Sequence, residues 1–214
     1  MKSMFQKAMD EEFSRLHPSL QKKYALNSTS DYKVITKGTM HEIKGGSRLV
    51  RKVSHLGVKM NFAFPERGEE IPFYMENAAY RDRHGRETMS WRRSFTFPET
   101  VRCFYDKMKE GERPNSVDNF TDQWGIARLP LMLKATQTGG MLLTSRDMTF
   151  HIGKKYIKIP RLLGVRATVL EEYNDKTELI DVHIHIYQPL FGTILSYKGS
   201  VEMLFPSLSV GTGE

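Results

Sequence analysis

The segment TMSWRRSFTF, residues 88–97, sets the reading of the whole chain. Its odd positions are Met89, Trp91, Arg93, Phe95 and Phe97, and its even positions are small or polar apart from Arg92. A strand sends alternate side chains to opposite faces, so this pattern predicts a half-buried β-strand with Arg93 among four large apolar residues. A guanidinium does not lose its proton, so on a buried face it needs an acidic partner or an anionic ligand. Arg93 is therefore the first candidate site residue, and Arg92 is expected to face solvent.

Working outward, the same alternation recurs on both sides. Residues 73–81 lead through Arg83-His84-Gly85-Arg86 back into 88–97, a hairpin whose glycine supplies the positive φ such turns favour. Further strands are expected at 32–43, 101–108, 116–124, 128–136, 141–152, 154–159, 166–173, 178–187 and 194–204, punctuated by Gly, Asn and Pro. Gly38 is a possible bulge in the first of them. Sequential strands joined by short turns describe an antiparallel meander. About nine or ten strands exceed what a flat twisted sheet carries comfortably, so the fold class is mainly β, curled into a barrel or half-barrel.

Two helices are expected. Phe5, Met9, Phe13 and Leu16 recur at helical spacing over residues 2–16, with Leu20 extending the stripe past His17-Pro18, which should bend or end the helix. Ser47 is a plausible N-cap for a short helix carrying Leu49, Val50, Val53 and Leu56, stopped by Gly57. No linker composition interrupts the chain, so residues 1–206 read as one domain and 207–214, rich in Ser, Gly and Thr, as a flexible tail.

Composition bounds the function. The net charge of +7 favours anionic partners, yet neither a long run of Lys and Arg nor an RNA-binding aromatic motif occurs, so nucleic acid is not expected. Cys103 is the single cysteine, which excludes an intrachain disulfide and a cysteine-based zinc site and fits a reducing compartment. Without a signal-peptide pattern or an apolar run near the roughly 20 residues of a membrane span, the expected location is cytoplasmic. No phosphate-binding or nucleophile-elbow motif is present, and no cofactor is implied.

Three constellations could carry chemistry. Arg93, with Trp91 and Phe95, could anchor an anion in an aromatic cavity; the structural alternative is an ion pair with a cross-strand acid such as Glu172. His183 and His185 share one face of a strand with Asp181 and are weak metal candidates, because two histidines at that spacing are common by chance. Of Glu171 and Glu172, one must face inward, and alternation alone does not say which.

Several short motifs occur in a fixed order: Leu16-His17-Pro18 after the helix, Trp91-x-Arg93-x-Phe95, Trp124-Gly125, Pro189-Leu190-x-Gly192 and Tyr197-x-Gly199. On these the chain resembles, from about Phe5 to Leu204, a bacterial domain-of-unknown-function family. The family is found alone, at the C-terminus of YndJ-like membrane proteins, and behind saccharopine-dehydrogenase-like Rossmann domains. One departure is Ile157-Lys158-Ile159-Pro160, where a stretch richer in Gly and Pro is typical of the family. The resemblance implies a module that can be fused to membrane or oxidoreductase partners, and it brings no catalytic residues.

The reading is a non-enzymatic binding module for an amphipathic anion or lipid-like molecule. Arg93 would hold the head group, and Trp91, Phe95, Tyr197 and Phe73 would line the cavity. The alternatives are an enzyme using a Glu or His in the same cavity, and an interaction domain whose basic face meets an anionic membrane or a partner subunit.

Overall fold

The alternating segments form strands throughout the computed structural model, which describes residues 1–47, 50–51, 64–121, 127–145, 147–152 and 155–208. The first six are β1 (Val34–Lys44), β2 (Gly68–Arg81), β3 (Glu87–Phe97), β4 (Thr100–Glu110), β5 (Ser116–Phe120) and β6 (Ala127–Ala135). They are followed by β7 (Met141–Ser145), β8 (Thr149–Ile152), β9 (Lys155–Lys158), β10 (Arg166–Asn174), β11 (Leu179–Gln188) and β12 (Gly192–Leu204). All pair antiparallel.

The ring runs β5-β4-β3-β2-β1-β12-β11-β10-β7-β6 and closes by pairing β6 with β5, giving a barrel of ten strands. The expected mainly β fold is therefore observed, with a fully closed barrel. Closure satisfies the edge groups that an open meander would expose. The expected single strand at 141–152 is two strands. Both β7 and β8 lie along the same edge of β6, but β7 takes β10 as its other neighbour and β8 takes β9. The β8–β9 hairpin thus leaves the barrel wall at Asp147.

The barrel interior carries the alternate residues that the sequence pattern selects. Met89, Trp91, Phe95 and Phe97 of β3 are buried beside Phe73 and Met75 of β2, Ile180, Val182 and Ile184 of β11, and Leu195, Tyr197 and Val201 of β12. The β1–β12 seam is especially close. A Cβ on Gly199 would lie 2.1 Å from the Thr39 carbonyl oxygen, and one on Gly38 would lie 2.3 Å from that of Ser200. Gly38 serves this approach, and the bulge of β1 falls between Met40 and Glu42 instead.

One end of the barrel is plugged by the N-terminal segment. Here α1 (Met4–Met9) opens with a capping box between Ser3 and Gln6, and a 3-10 turn covers Asp10–Arg15 before α2 (Pro18–Tyr24). The expected single helix is split because Asp10 adopts φ 46°, a left-handed conformation that ends α1. Pro18 then begins α2 at its first position, where its missing N–H costs nothing. The apolar stripe is as expected: Phe5, Met9, Phe13, Leu16 and Leu20 are all buried.

For the expected second helix, Ser47 accepts from Val50 N–H at 3.3 Å as a cap would, while residues 52–57 lie outside the described residues. The far end of the expected strand at 116–124, with Trp124-Gly125, also lies outside them. In the expected tail, Ser207 bridges to Tyr32 and Leu208 N–H donates to Asp31 O at 2.6 Å; residues 209–214 are outside the described residues.

Candidate functional site

Toward the middle of the barrel the apolar interior gives way to a polar cluster around a cavity of about 110 Å³. Trp91 and Arg93 of β3, Asp106 of β4, Asn119 of β5 and Tyr197 of β12 form its polar side. Leu129, Leu131, Val169, Ile184, Ile186 and Leu195 supply the apolar walls. A wider depression of about 740 Å³ lies between Tyr74, Glu76, Arg92, Cys103 and Tyr105, with Arg93 and Phe104 also bordering it. It is open to solvent, so the interior cavity is where polar groups are stripped of water.

Arg93 is paired, but not with Glu172. Its Nη2 donates to Asp106 in a close ion pair, and its Nη1 donates to the Tyr197 hydroxyl at 3.0 Å. Asn119 Nδ2 donates to the other Asp106 oxygen at 3.3 Å, and the guanidinium stands 5.4 Å over the Phe104 ring. Burial works against the Arg93 charge, but Asp106 and Tyr197 outweigh it and hold the guanidinium charged, above its ordinary value. Burial also lifts the Tyr197 phenol, against the pull of Arg93, so it stays neutral and keeps a proton to donate.

The cluster leaves polar atoms unused. Trp91 Nε1, Arg93 Nε and Asn119 Oδ1 are buried and have no hydrogen-bond partner among the described residues. Thr121 Oγ1 is buried without a partner as well, so two N–H donors, one amide acceptor and one hydroxyl stand unsatisfied on residues that border one small cavity. Each such group costs on the order of 1–3 kcal/mol unless something bonds it.

Glu172, the expected partner, accepts instead from the Thr138 hydroxyl at 2.5 Å in an exposed contact. Its neighbour Glu171 is the inward one. It accepts both oxygens' worth of contacts from Lys23 Nζ, at 2.6 and 2.7 Å, and a bond from the Tyr24 hydroxyl at 3.0 Å. This buried pair joins the plug to β10, and Lys23 Nζ lies 5.5 Å over the Trp91 ring. Phe95 and Phe73, expected on the cavity, sit behind it in an aromatic cluster. Phe95 packs on Tyr197 and Phe73 at ring distances of 5.1 Å, and Phe64 covers Phe95, Phe97 and Phe104. Of the six expected ligand residues, Trp91, Arg93 and Tyr197 therefore meet at the cavity.

His183 and His185 lie on the outer face of β11, where His185 Nε2 is 3.0 Å from Thr193 Oγ1 and His183 Nε2 is 3.5 Å from Ser196 Oγ. Among the described residues no cluster of three or more His, Cys, Asp and Glu could hold a metal ion. No histidine borders the cavity among those residues either. Cys103, the single cysteine, is exposed on the outer face of β4.

Sequence reasoning missed Asp106 and Asn119. The Pro98-Glu99 turn between β3 and β4 held the signal: it sets Arg93 opposite Phe104 and Asp106 opposite Trp91, so Asp106 shares the inner face one diagonal step away.

The molecule is thus a closed antiparallel barrel with a helical plug at one end and a small interior cavity edged by an Arg-Asp-Tyr-Asn cluster. The chain belongs to the family described as Domain of unknown function (DUF4166), whose model matches residues 16–201. It is 31% identical over 202 residues to Uncharacterized protein YndH of Bacillus subtilis (strain 168), covering 94% of this chain and 97% of that protein. No solved structure matches the chain. No helix among the described residues is long and apolar enough to cross a membrane.

Proposed function

We propose that the barrel binds a small amphipathic molecule, with its polar group against Trp91, Arg93 and Asn119 and its apolar part against Leu131, Ile184 and Leu195. The observation that carries this reading is the set of unsatisfied buried atoms, Trp91 Nε1, Arg93 Nε and Asn119 Oδ1, on residues that border an otherwise apolar cavity. Because Asp106 already neutralises Arg93, the polar group is better matched by a neutral acceptor-and-donor function, such as an amide or a hydroxyl, than by a free carboxylate. The cavity volume of about 110 Å³ suits a molecule near the size of benzene or a few waters. A long acyl chain requires a larger space than this.

Binding is favoured over catalysis by the pairing of the titratable groups. Asp106 has both oxygens engaged, by Arg93 and Asn119, and burial holds the Tyr197 phenol neutral, so neither offers a free base to a substrate. A cytoplasmic setting, resting on the sequence pattern, and fusion to membrane or oxidoreductase partners, resting on the resemblance alone, belong to the same proposal.

Native mass spectrometry of the protein as purified, with denaturing extraction beside it, tests the reading. A retained small molecule is expected in the wild type and absent from Leu195→Phe, which fills the cavity without touching the polar cluster. A folded wild type that carries nothing, and whose unfolding midpoint no small amide or alcohol raises, overturns it.

A further inference from the structure

At the end of the barrel away from the plug, two turns present apolar side chains that no described residue covers. The turn at residues 160–164 exposes Leu162 and Leu163, and the turn between β11 and β12 exposes Leu190 and Phe191. Each is more than half exposed, at 57%, 58%, 54% and 54%. Soluble surfaces scatter such residues singly, whereas grouped ones mark a contact. The grouping here is built. Gln188, itself buried, donates from Nε2 to the Leu162 carbonyl at 2.9 Å, and its Oε1 accepts from the N–H groups of Leu190 and Phe191 at 2.6 and 2.9 Å. One buried amide therefore locks both turns into a single surface.

The chain that builds the Leu162 turn is net basic, and Asp147 is the acid its cations meet. Residues 151–166 include five Lys and Arg and no Asp or Glu, and residues 186–195 carry no charge. Lys158 and Arg161 lean on Asp147, at 3.8 and 3.1 Å, while Lys155 and Arg166 have no ion-pair partner among the described residues. Arg166 stands opposite Tyr187 in the β10–β11 register, directly beside the Leu190 turn. Exposed Leu and Phe at loop tips, flanked by more cations than acids and by Arg166 with no ion-pair partner among the described residues, match a surface of anionic head groups over an apolar layer. A second copy of the chain matches less well, because a symmetric contact would bring the same cations together.

We propose that this rim docks the protein on an anionic lipid bilayer, with Leu162, Leu163, Leu190 and Phe191 inserted at the head-group level and Arg166 on the lipid phosphates. The inference goes beyond the cavity and does not depend on it. The two meet at Val165, which follows the Leu162 turn and borders the cavity, so docking would turn that side of the cavity toward the lipid.

Vesicle flotation of the full chain tests this, using phosphatidylcholine vesicles with and without about 30 mol% phosphatidylglycerol. The wild type is expected to float with the anionic vesicles only, and to be released as salt rises toward about 0.5 M. Leu190→Ser with Phe191→Ser, and separately Arg166→Glu, should each lower the bound fraction about tenfold. The cavity-filling Leu195→Phe should float as the wild type does, which separates this proposal from the binding reading. Failure of the wild type to float with either vesicle overturns docking. So does equal flotation with neutral vesicles that the tip variants do not change. A dimer in sedimentation that Leu190→Ser with Phe191→Ser dissolves, without vesicle binding, also overturns it and assigns the surface to self-association.

Discussion

At the scale of single residues, the interior ion pair decides what the cavity can bind. The Arg93 and Asp106 side chains are 18% and 5% exposed, so neither charge is well served by water. Removing one partner leaves the other charge buried, which typically costs about 3–5 kcal/mol, whereas replacing both with apolar groups of similar shape is often nearly neutral. Asp106→Leu alone should therefore lower the urea unfolding free energy by about 3 kcal/mol, and Arg93→Met with Asp106→Leu should recover most of that loss. A double variant as unstable as the sum of its two singles would show that the pair contributes no mutual stabilisation. Arg93 was legible in the sequence because alternation placed it on an apolar face. Its partner was not, because the choice between Asp106 and Glu172 depends on register and on which face of β10 turns inward.

At the scale of elements, the plug and the β1–β12 seam explain two of the short motifs. Leu16-His17-Pro18 is a docking joint. The His17 ring stacks on Tyr173 at 4.3 Å, its Nδ1 accepts from Ser19 N–H, and its backbone N–H donates to Gly139 O at 2.8 Å. The plug is then anchored by Lys23 on Glu171, whose side chains are 3% and 2% exposed. Glu171→Leu should cost about 3–5 kcal/mol by stranding the Lys23 charge, and amide hydrogen exchange should rise first in residues 4–24. Uniform loss of protection across the barrel would instead make the plug part of one cooperative unit. Tyr197-x-Gly199 belongs to the seam, since a Cβ on Gly199 would strike the backbone of Thr39 and Met40. Gly199→Ala should destabilise the barrel by about 3 kcal/mol, read by urea titration, while Gly85→Ala, at a turn where the new Cβ meets nothing, should cost only the strain of its positive φ. Periodicity gave the plug's apolar stripe, but the break at Asp10 is a backbone conformation that no residue type there announces.

At the scale of the whole molecule, closure joins residues far apart in sequence, β12 to β1 and β10 to β7, and strand counting foresaw the curling without fixing the final pairing. The same long-range ties set the acid sensitivity. Asp147 accepts from Arg161 and Arg113 at 3.1 Å each and lies 3.8 Å from Lys158, linking the β4–β5 turn to the chain that leaves the barrel wall. These cations, Arg161 foremost, hold the Asp147 carboxyl below its ordinary value, and Lys109 and Arg86 do the same to Asp82. A carboxylate depressed in the folded state contributes stability above its unfolded pKa of about 4, and that contribution fades as pH falls through the lower folded value. Asp118 runs the other way, because burial raises it despite Arg128, so its protonation in mild acid favours the folded state slightly. The thermal midpoint should accordingly stay nearly level from pH 7 to about 5 and fall below about 4. The partners of Asp147 are more than half exposed, at 56%, 67% and 60%, so Asp147→Asn should cost only about 1 kcal/mol at pH 7. That deficit should shrink as pH falls through the depressed folded value of the wild-type carboxyl, since once it is itself protonated the two chains carry the same charge at this position. A gap that stays constant from pH 7 to pH 3 would mean that Asp147 acts through its hydrogen-bond geometry, which asparagine disturbs at every pH, and not through its charge.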